Sequence, residues 1–137
     1  MTYLVDTNAV IALLRNRPPQ VRQRWRRAAQ SKTATILVST VVLFELYYGV
    51  ALSKQPEENG ERLRIFLSGD VTVQSFDATD AAVAGTLRAE LDQRGARIGA
   101  YDVLVAAQAL RTGATLVTAN AREFGRVPHL KWQDWSA

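Results

Sequence analysis

The chain has 137 residues, of which 47% are hydrophobic and 22% charged, a balance that suits one globular domain with its own core. There is no cysteine, which excludes disulfides and thiolate metal sites and points to a reducing, cytoplasmic setting. The net charge of +4 is unevenly placed: Arg15, Arg17, Arg22, Arg24, Arg26, Arg27 and Lys32 fall between Thr7 and Phe44, and all 13 acids lie outside that block. Such asymmetry suits a polyanionic partner, with nucleic acid first, although an arginine-rich solvated helix face has the same composition.

The opening MTYLVDTN lacks the basic flank of a leader, and its apolar run is cut at Asp6. Tyr3–Val5 reads as a short strand and DTNAVIALL as a turn into a helix. Pro18 and Pro19 open a second helix, on which Val21, Trp25 and Ala28 or Ala29 share a face while the arginines occupy the others. Thr35–Val38 reads as a buried strand, and Ser39 or Thr40 as the cap of the next helix. That helix, TVVLFELYYGVAL, is apolar almost throughout and reads as buried, with Glu45 at its centre. The carboxylate argues against a membrane span and raises the question of its partner.

After Pro56 comes a polar helix to about Leu67, then a strand at Val71–Ser75 and an alanine-rich helix at Thr79–Gln93. The loop GARIG leads into the helix AYDVLVAAQALRT, stopped by Gly113. Ala114–Val117 is a further strand, followed by a loop and a short helix. Strands alternating with helices predict an α/β fold with a parallel sheet covered on both faces, all within one domain spanning 1–137.

In such sheets ligands bind at the carboxyl ends of the strands. Asp6 follows the first strand, Glu45 lies one turn inside the helix after the second, Asp102 opens the helix AYDVLVAAQAL, and Glu123 follows the last strand. Each has an ordinary explanation: Asp6 as an N-cap, Asp102 as a helix-dipole partner, Asn120 and Glu123 as a capping box. Glu45 does not, because it is too deep in its helix to cap it. Two carboxylates about 4–5 Å apart repel by roughly 3–4 kcal/mol at an effective dielectric near 20, and a divalent cation resolves that repulsion. The donors are hard oxygens, and the single histidine, His129, lies near the C-terminus, so Mg²⁺ or Mn²⁺ suits the set better than zinc. An acidic metal pocket beside basic residues such as Arg22, Arg24, Arg26 and Arg27 suits phosphodiester hydrolysis.

The stretches LVDTNAVIALL, STVVLFELYYGVALS, RAELDQRGARIGAYDVLVAAQAL and LVTANAREFGRVPHLKWQDW, in this order, resemble the PIN-domain ribonucleases, specifically the VapC-like toxins of type II toxin–antitoxin pairs. The resemblance covers nearly the whole chain. It implies a three-layer α/β/α fold with a short parallel sheet and a metal-dependent endoribonuclease acting on structured RNA such as tRNA. It implies Asp6, Asp102 and Glu45, the last directly or through water, as Mg²⁺ or Mn²⁺ ligands, and Glu123 as a fourth catalytic acid. Thr7, Asn8, Thr118 and Asn120 match polar supporting positions, with Asn120 where many PIN domains carry aspartate. Hydrolysis by this route leaves a 5′-phosphate and a 3′-hydroxyl. The resemblance also implies a cognate VapB-like antitoxin, contact with operator DNA only through that antitoxin, and a homodimer. Trp25, Leu46, Tyr47 and Tyr48 offer an apolar docking surface or, equally, plain core residues. A Mg²⁺-dependent phosphatase is disfavoured because Asp6-Thr7-Asn8 lacks a second acid. The remaining alternative is a PIN-like scaffold that binds RNA or protein without cutting.

Overall fold

TYLV at the N-terminus becomes β1 (Thr2–Val5), the central strand of a five-stranded, wholly parallel sheet ordered β3-β2-β1-β4-β5 in this computed structural model, which describes residues 1–137. On one side β1 pairs with β2 (Thr35–Ser39), and β2 with β3 (Thr72–Gln74). On the other it pairs with β4 (Thr115–Val117), which pairs with β5 (Trp132–Gln133). The inner strands are continuous apolar runs, as expected where both faces are covered.

Between the strands lie α1 (Thr7–Arg15), α2 (Pro19–Gln30), α3 (Thr40–Leu52), α4 (Pro56–Leu67), α5 (Ala78–Gln93), α6 (Ala100–Thr112) and α7 (Ala121–Phe124). α1 packs on α2, α3 and α4, while α5 packs on α6. Right-handed crossovers place these groups on opposite faces, because the chain leaves β1 toward β2 and β3 and then returns past β1 to β4 and β5. The three-layer α/β/α arrangement read from the sequence is present. A cluster of 27 buried apolar residues, from Leu4 to Trp135, ties both ends of the chain into one core.

Local chemistry explains the element ends. Asp6 caps α1, its Oδ1 accepting from the Ala9 N–H at 2.8 Å, and Ser39 caps α3 through the Val41 N–H at 3.0 Å. Gly113 ends α6 with φ +68°, a left-handed conformation that glycine adopts without strain. The ranges expected from the sequence shift by a residue or two, and β5 is an addition. Two residues carry no periodicity, so Trp132–Gln133 is a strand only because it docks beside Leu116 and Val117, with Trp135 buried against Tyr3 at a ring-centroid distance of 5.4 Å.

α3 requires a larger correction. It reads as a buried segment, yet only Val42 and Leu46 are fully buried, while Phe44, Tyr47, Tyr48 and Leu52 are 53%, 56%, 61% and 68% exposed. A helix lying on a sheet covers it with one face, and a helix apolar all round does not encode which face that is. Of the apolar residues weighed for docking, Leu46 belongs to the core and Trp25 is half-buried against Phe66, whereas Tyr47 and Tyr48 are surface residues.

A buried ion pair braces the α5–α6 face. Asp80 is fully buried, shares a capping box with Asp77, and meets the Arg111 guanidinium. Burial pushes its carboxyl up, but Arg111 and the Asp77 N–H outweigh that and hold it below the usual carboxylate range.

Asp80→Asn is therefore expected to cost about 3 kcal/mol at neutral pH, because it leaves Arg111 unpaired. The folded-state pKa is depressed, so this stabilisation is complete above the unfolded pKa of about 4 and disappears as pH falls through the folded value. Urea melts of both proteins should converge toward acid. In the same assay Leu46→Ala is expected to cost about 2–5 kcal/mol and Tyr48→Ser less than about 0.5 kcal/mol.

Candidate active site

The carboxyl ends of β1 and β4 adjoin at the point where the chain's connections diverge, and a cleft opens there. Its volume is about 110 Å³, and its walls include Asp6, Asn8, Glu45, Asp102 and Asn120 with Val105 and Phe124 at its floor. Three of the four sequence-nominated acids thus line one cavity, and the fourth, Glu123, meets Asp102.

Each acid arrives from a different element. Asp6 ends β1, its own N–H donating to the Val117 carbonyl of β4 at 3.0 Å, so the β1–β4 ladder sets its position. Glu45 comes from α3, half-buried, and its Oε1 accepts from the Thr7 hydroxyl at 2.8 Å. Asp102 lies in the first turn of α6. Phe44 and Tyr101, the residues just before Glu45 and Asp102, meet edge to face at 5.6 Å and join α3 to α6 beside the cleft. Glu123 sits on α7, where Asn120 both caps the helix and donates through Nδ2 to Glu123 Oε2 at 3.2 Å. The Asn120 N–H in turn donates to the Thr118 hydroxyl at 3.0 Å.

The electrostatics follow from crowding like charges. Burial raises the Asp6 carboxyl, with help from the charges of Glu45 and Asp134, against the Thr118 hydroxyl and the Ala9 N–H, which favour its ionised form. Asp102 is pushed up to about 7, first by burial, then by its hydrogen bond to Glu123 and by the charges of Glu123, Glu45 and Asp6. Glu123 is held below the usual range by the hydrogen bond from Asp102, by Asn120, by the Gly99 N–H and by the Arg126 charge. The first proton the pair takes up therefore resides on Asp102, and it is lost as pH rises through about 7.

Gly99, the N-cap of α6, makes this pairing possible. A Cβ there would lie 3.0 Å from Asp102 Oδ2 and 3.8 Å from Glu123 Oε2. The donor set fits a hard divalent cation: every nearby ligand atom is oxygen, and His129 lies elsewhere, beside Leu87 and Glu90. In the present rotamers no three of these side chains converge as a ready metal cage.

Three contributors escape a reading of the sequence. Asp134 follows β5, a strand too short to announce itself, and its charge reaches Asp6. Arg126 follows α7 and its charge reaches Glu123. Gly99 is visible only as one glycine of a loop. Glu90 pairs with Arg94 at 3.6 Å on the surface, as an ordinary helix residue. Of the α2 arginines, Arg22 donates to the Leu13 carbonyl at 2.6 Å and Arg24 to Gln133 at 3.3 Å, while Arg26 and Arg27 are exposed.

Gly99→Ala is expected to fold but to displace Asp102 by a few tenths of an ångström. With its contact to Glu123 disturbed and its burial retained, the Asp102 carboxyl should titrate lower in the variant than in the wild type by ¹³C NMR.

A PIN-domain family model matches residues 3–130 of the chain. Ribonuclease VapC2 of Rickettsia felis is 40% identical over 135 residues, covering 98% of each chain. The tRNA(fMet)-specific endonuclease VapC of Shigella flexneri is 38% identical over 136 residues, covering 99% of each. The crystal structure of VapBC2 from Rickettsia felis, bound to a DNA fragment from its promoter, superposes with a TM-score of 0.91 at 39% identity, over 98% of this chain and 99% of that one. Likeness from end to end in both sequence and fold leaves one assignment: the chain belongs to the PIN-domain family, within its VapC ribonuclease branch.

Proposed function

We propose that this chain is an endoribonuclease toxin of a type II toxin–antitoxin pair, which hydrolyses phosphodiester bonds of structured RNA, tRNA above all, and is held inactive by a VapB-type antitoxin. The observation that carries this reading is the cleft at the β1–β4 edge, where Asp6, Glu45 and Asp102 share one cavity and Glu123 pairs with Asp102. Full-length similarity to ribonucleases, one of them named for a tRNA, supports the substrate, and similarity to a promoter-bound VapBC complex supports the partner and its link to operator DNA.

In this reading Asp6, Asp102 and Glu45 hold Mg²⁺, with Mn²⁺ as its substitute, through hard oxygens. The bound cation supplies charge to offset the phosphate and acidifies a water. The residues do the rest. The β1–β4 ladder fixes Asp6, Thr7 orients Glu45, and Thr118 supports Asp6 and the turn at Asn120. Glu123, held below the usual range by Asp102, Asn120 and Arg126, is the carboxylate placed to accept a proton, and a cation held in the cleft would favour the ionised form of Asp102. With no imidazole in the cleft, the route is direct hydrolysis rather than attack by the ribose 2′-hydroxyl, and it leaves 5′-phosphate ends.

Purified protein incubated with cellular RNA and Mg²⁺ is expected to cut at discrete sites, to stop when the cation is chelated, and to yield ends that a 5′-phosphate-dependent exonuclease degrades. Asp6→Asn should slow cleavage on the order of 1,000-fold, since it removes several kcal/mol of transition-state stabilisation. Thr7→Val should cost about 10–100-fold through misplaced Glu45. Cyclic phosphate ends would overturn the mechanism. A folded, antitoxin-free protein that binds RNA without ever cutting it would make the chain a binding scaffold instead.

A further inference from the structure

Two loops meet beside the Asp102–Glu123 pair, and both are basic. Arg97 lies two residues before Gly99, in the α5–α6 connection, and Arg126 lies three residues after Glu123. Arg126 Nη1 donates to the Arg97 carbonyl at 2.8 Å, and its N–H donates to the Glu123 carbonyl at 3.0 Å. These bonds anchor Arg126 where its charge is felt at Glu123. The Arg97 side chain is 77% exposed, and its guanidinium's one partner is Asp92 at 3.3 Å, a surface pair that another anion replaces at little cost. Arg122, exposed on α7 directly before Glu123, adds a third cation to the segment that carries that acid.

We propose that Arg97, Arg122 and Arg126 form a phosphate-binding rim that holds the RNA backbone against the acidic cleft. This rests on the nuclease reading above and adds the surface through which the substrate is held. A cleft of carboxylates repels a polyanion, so approach of RNA requires cations beside the acids rather than at a remote face. Guanidinium groups suit the task because they bind phosphate oxygens in a two-pronged fork. The arginine-rich helix α2, favoured by charge counting alone, is a weaker candidate: its half-buried Arg22 and Arg24 bind oxygens of α1 and β5, and none of its arginines is bonded to the loops beside Asp102 and Glu123, as Arg126 is.

The test is fluorescence anisotropy of the full chain with a fluorescein-labelled tRNA transcript in EDTA, where binding is read without cleavage, across a salt series. Arg97→Ala and Arg122→Ala alter exposed side chains and are each expected to weaken binding several-fold. The slope of log K against log salt should fall by about 0.7–0.9 for every phosphate that is no longer neutralised. The triple variant that adds Arg126→Ala should bind more weakly still, with thermal melts reporting its folding. Arg26→Ala with Arg27→Ala should leave affinity and slope unchanged. Rim variants that bind like the wild type, or a reduced slope confined to the α2 pair, would overturn the inference while cleavage by the wild type still stands. A wild type that neither binds nor cuts RNA would overturn the nuclease reading and this inference with it.

Discussion

Mutual repulsion of carboxylates at one edge of the sheet is the constraint around which this protein is arranged. Asp6, Glu45, Asp102 and Glu123 come from four different elements, and the other three all raise the cost of ionising Asp102. The fold meets that cost locally. Backbone N–H groups of Ala9 and Gly99 and the hydroxyl of Thr7 are turned toward the acids, and the Asp102 carboxyl is pushed up so that it, rather than Glu123, takes the proton of their pair. The missing side chain at Gly99 is part of the same solution, because a methyl group there would crowd the Asp102 carboxylate.

The parallel sheet is what makes such a gathering possible. All five strands end at the same edge, so residues far apart in sequence are delivered to one line by the β-ladders. Asp6 is held to β4 by a backbone hydrogen bond, and the divergence of connections around β1 and β4 leaves a gap between the two helical layers. α3 spans that gap. Val42 and Leu46 seat it on the core, Glu45 faces the cleft, and Phe44 meets Tyr101 of α6 across the rim.

Burial and a shifted pKa do not by themselves distinguish a working acid from a structural one. Asp80 is less accessible to solvent than any acid of the cleft, yet Arg111 and the capping box with Asp77 satisfy it, so it is ionised and paired. The cleft acids differ in lacking a cationic partner of that kind: their neighbours are mostly one another. The same distinction separates the arginines. Arg22 and Arg24 are half-buried and tied to oxygens of α1 and β5, whereas Arg97 and Arg122 are exposed on the two segments that carry Gly99 and Glu123.

The sequence by itself determined the alternation of strands and helices, a cap at Ser39 or Thr40, the stop at Gly113, and the four acids with their edge of the sheet. These are local or periodic properties, written in consecutive residues and in the rule that parallel strands present their carboxyl ends together. Tertiary structure alone decided which face of α3 is buried, since an all-apolar helix encodes no direction, and it decided that Trp132–Gln133 is a strand, since two residues have no period. It also decided the pairing of Asp102 with Glu123, the clearance at Gly99, the reach of Asp134 to Asp6 and the division of arginines into structural and free. Each of these is a distance between residues remote in the chain, and such distances exist only once the sheet has brought them together.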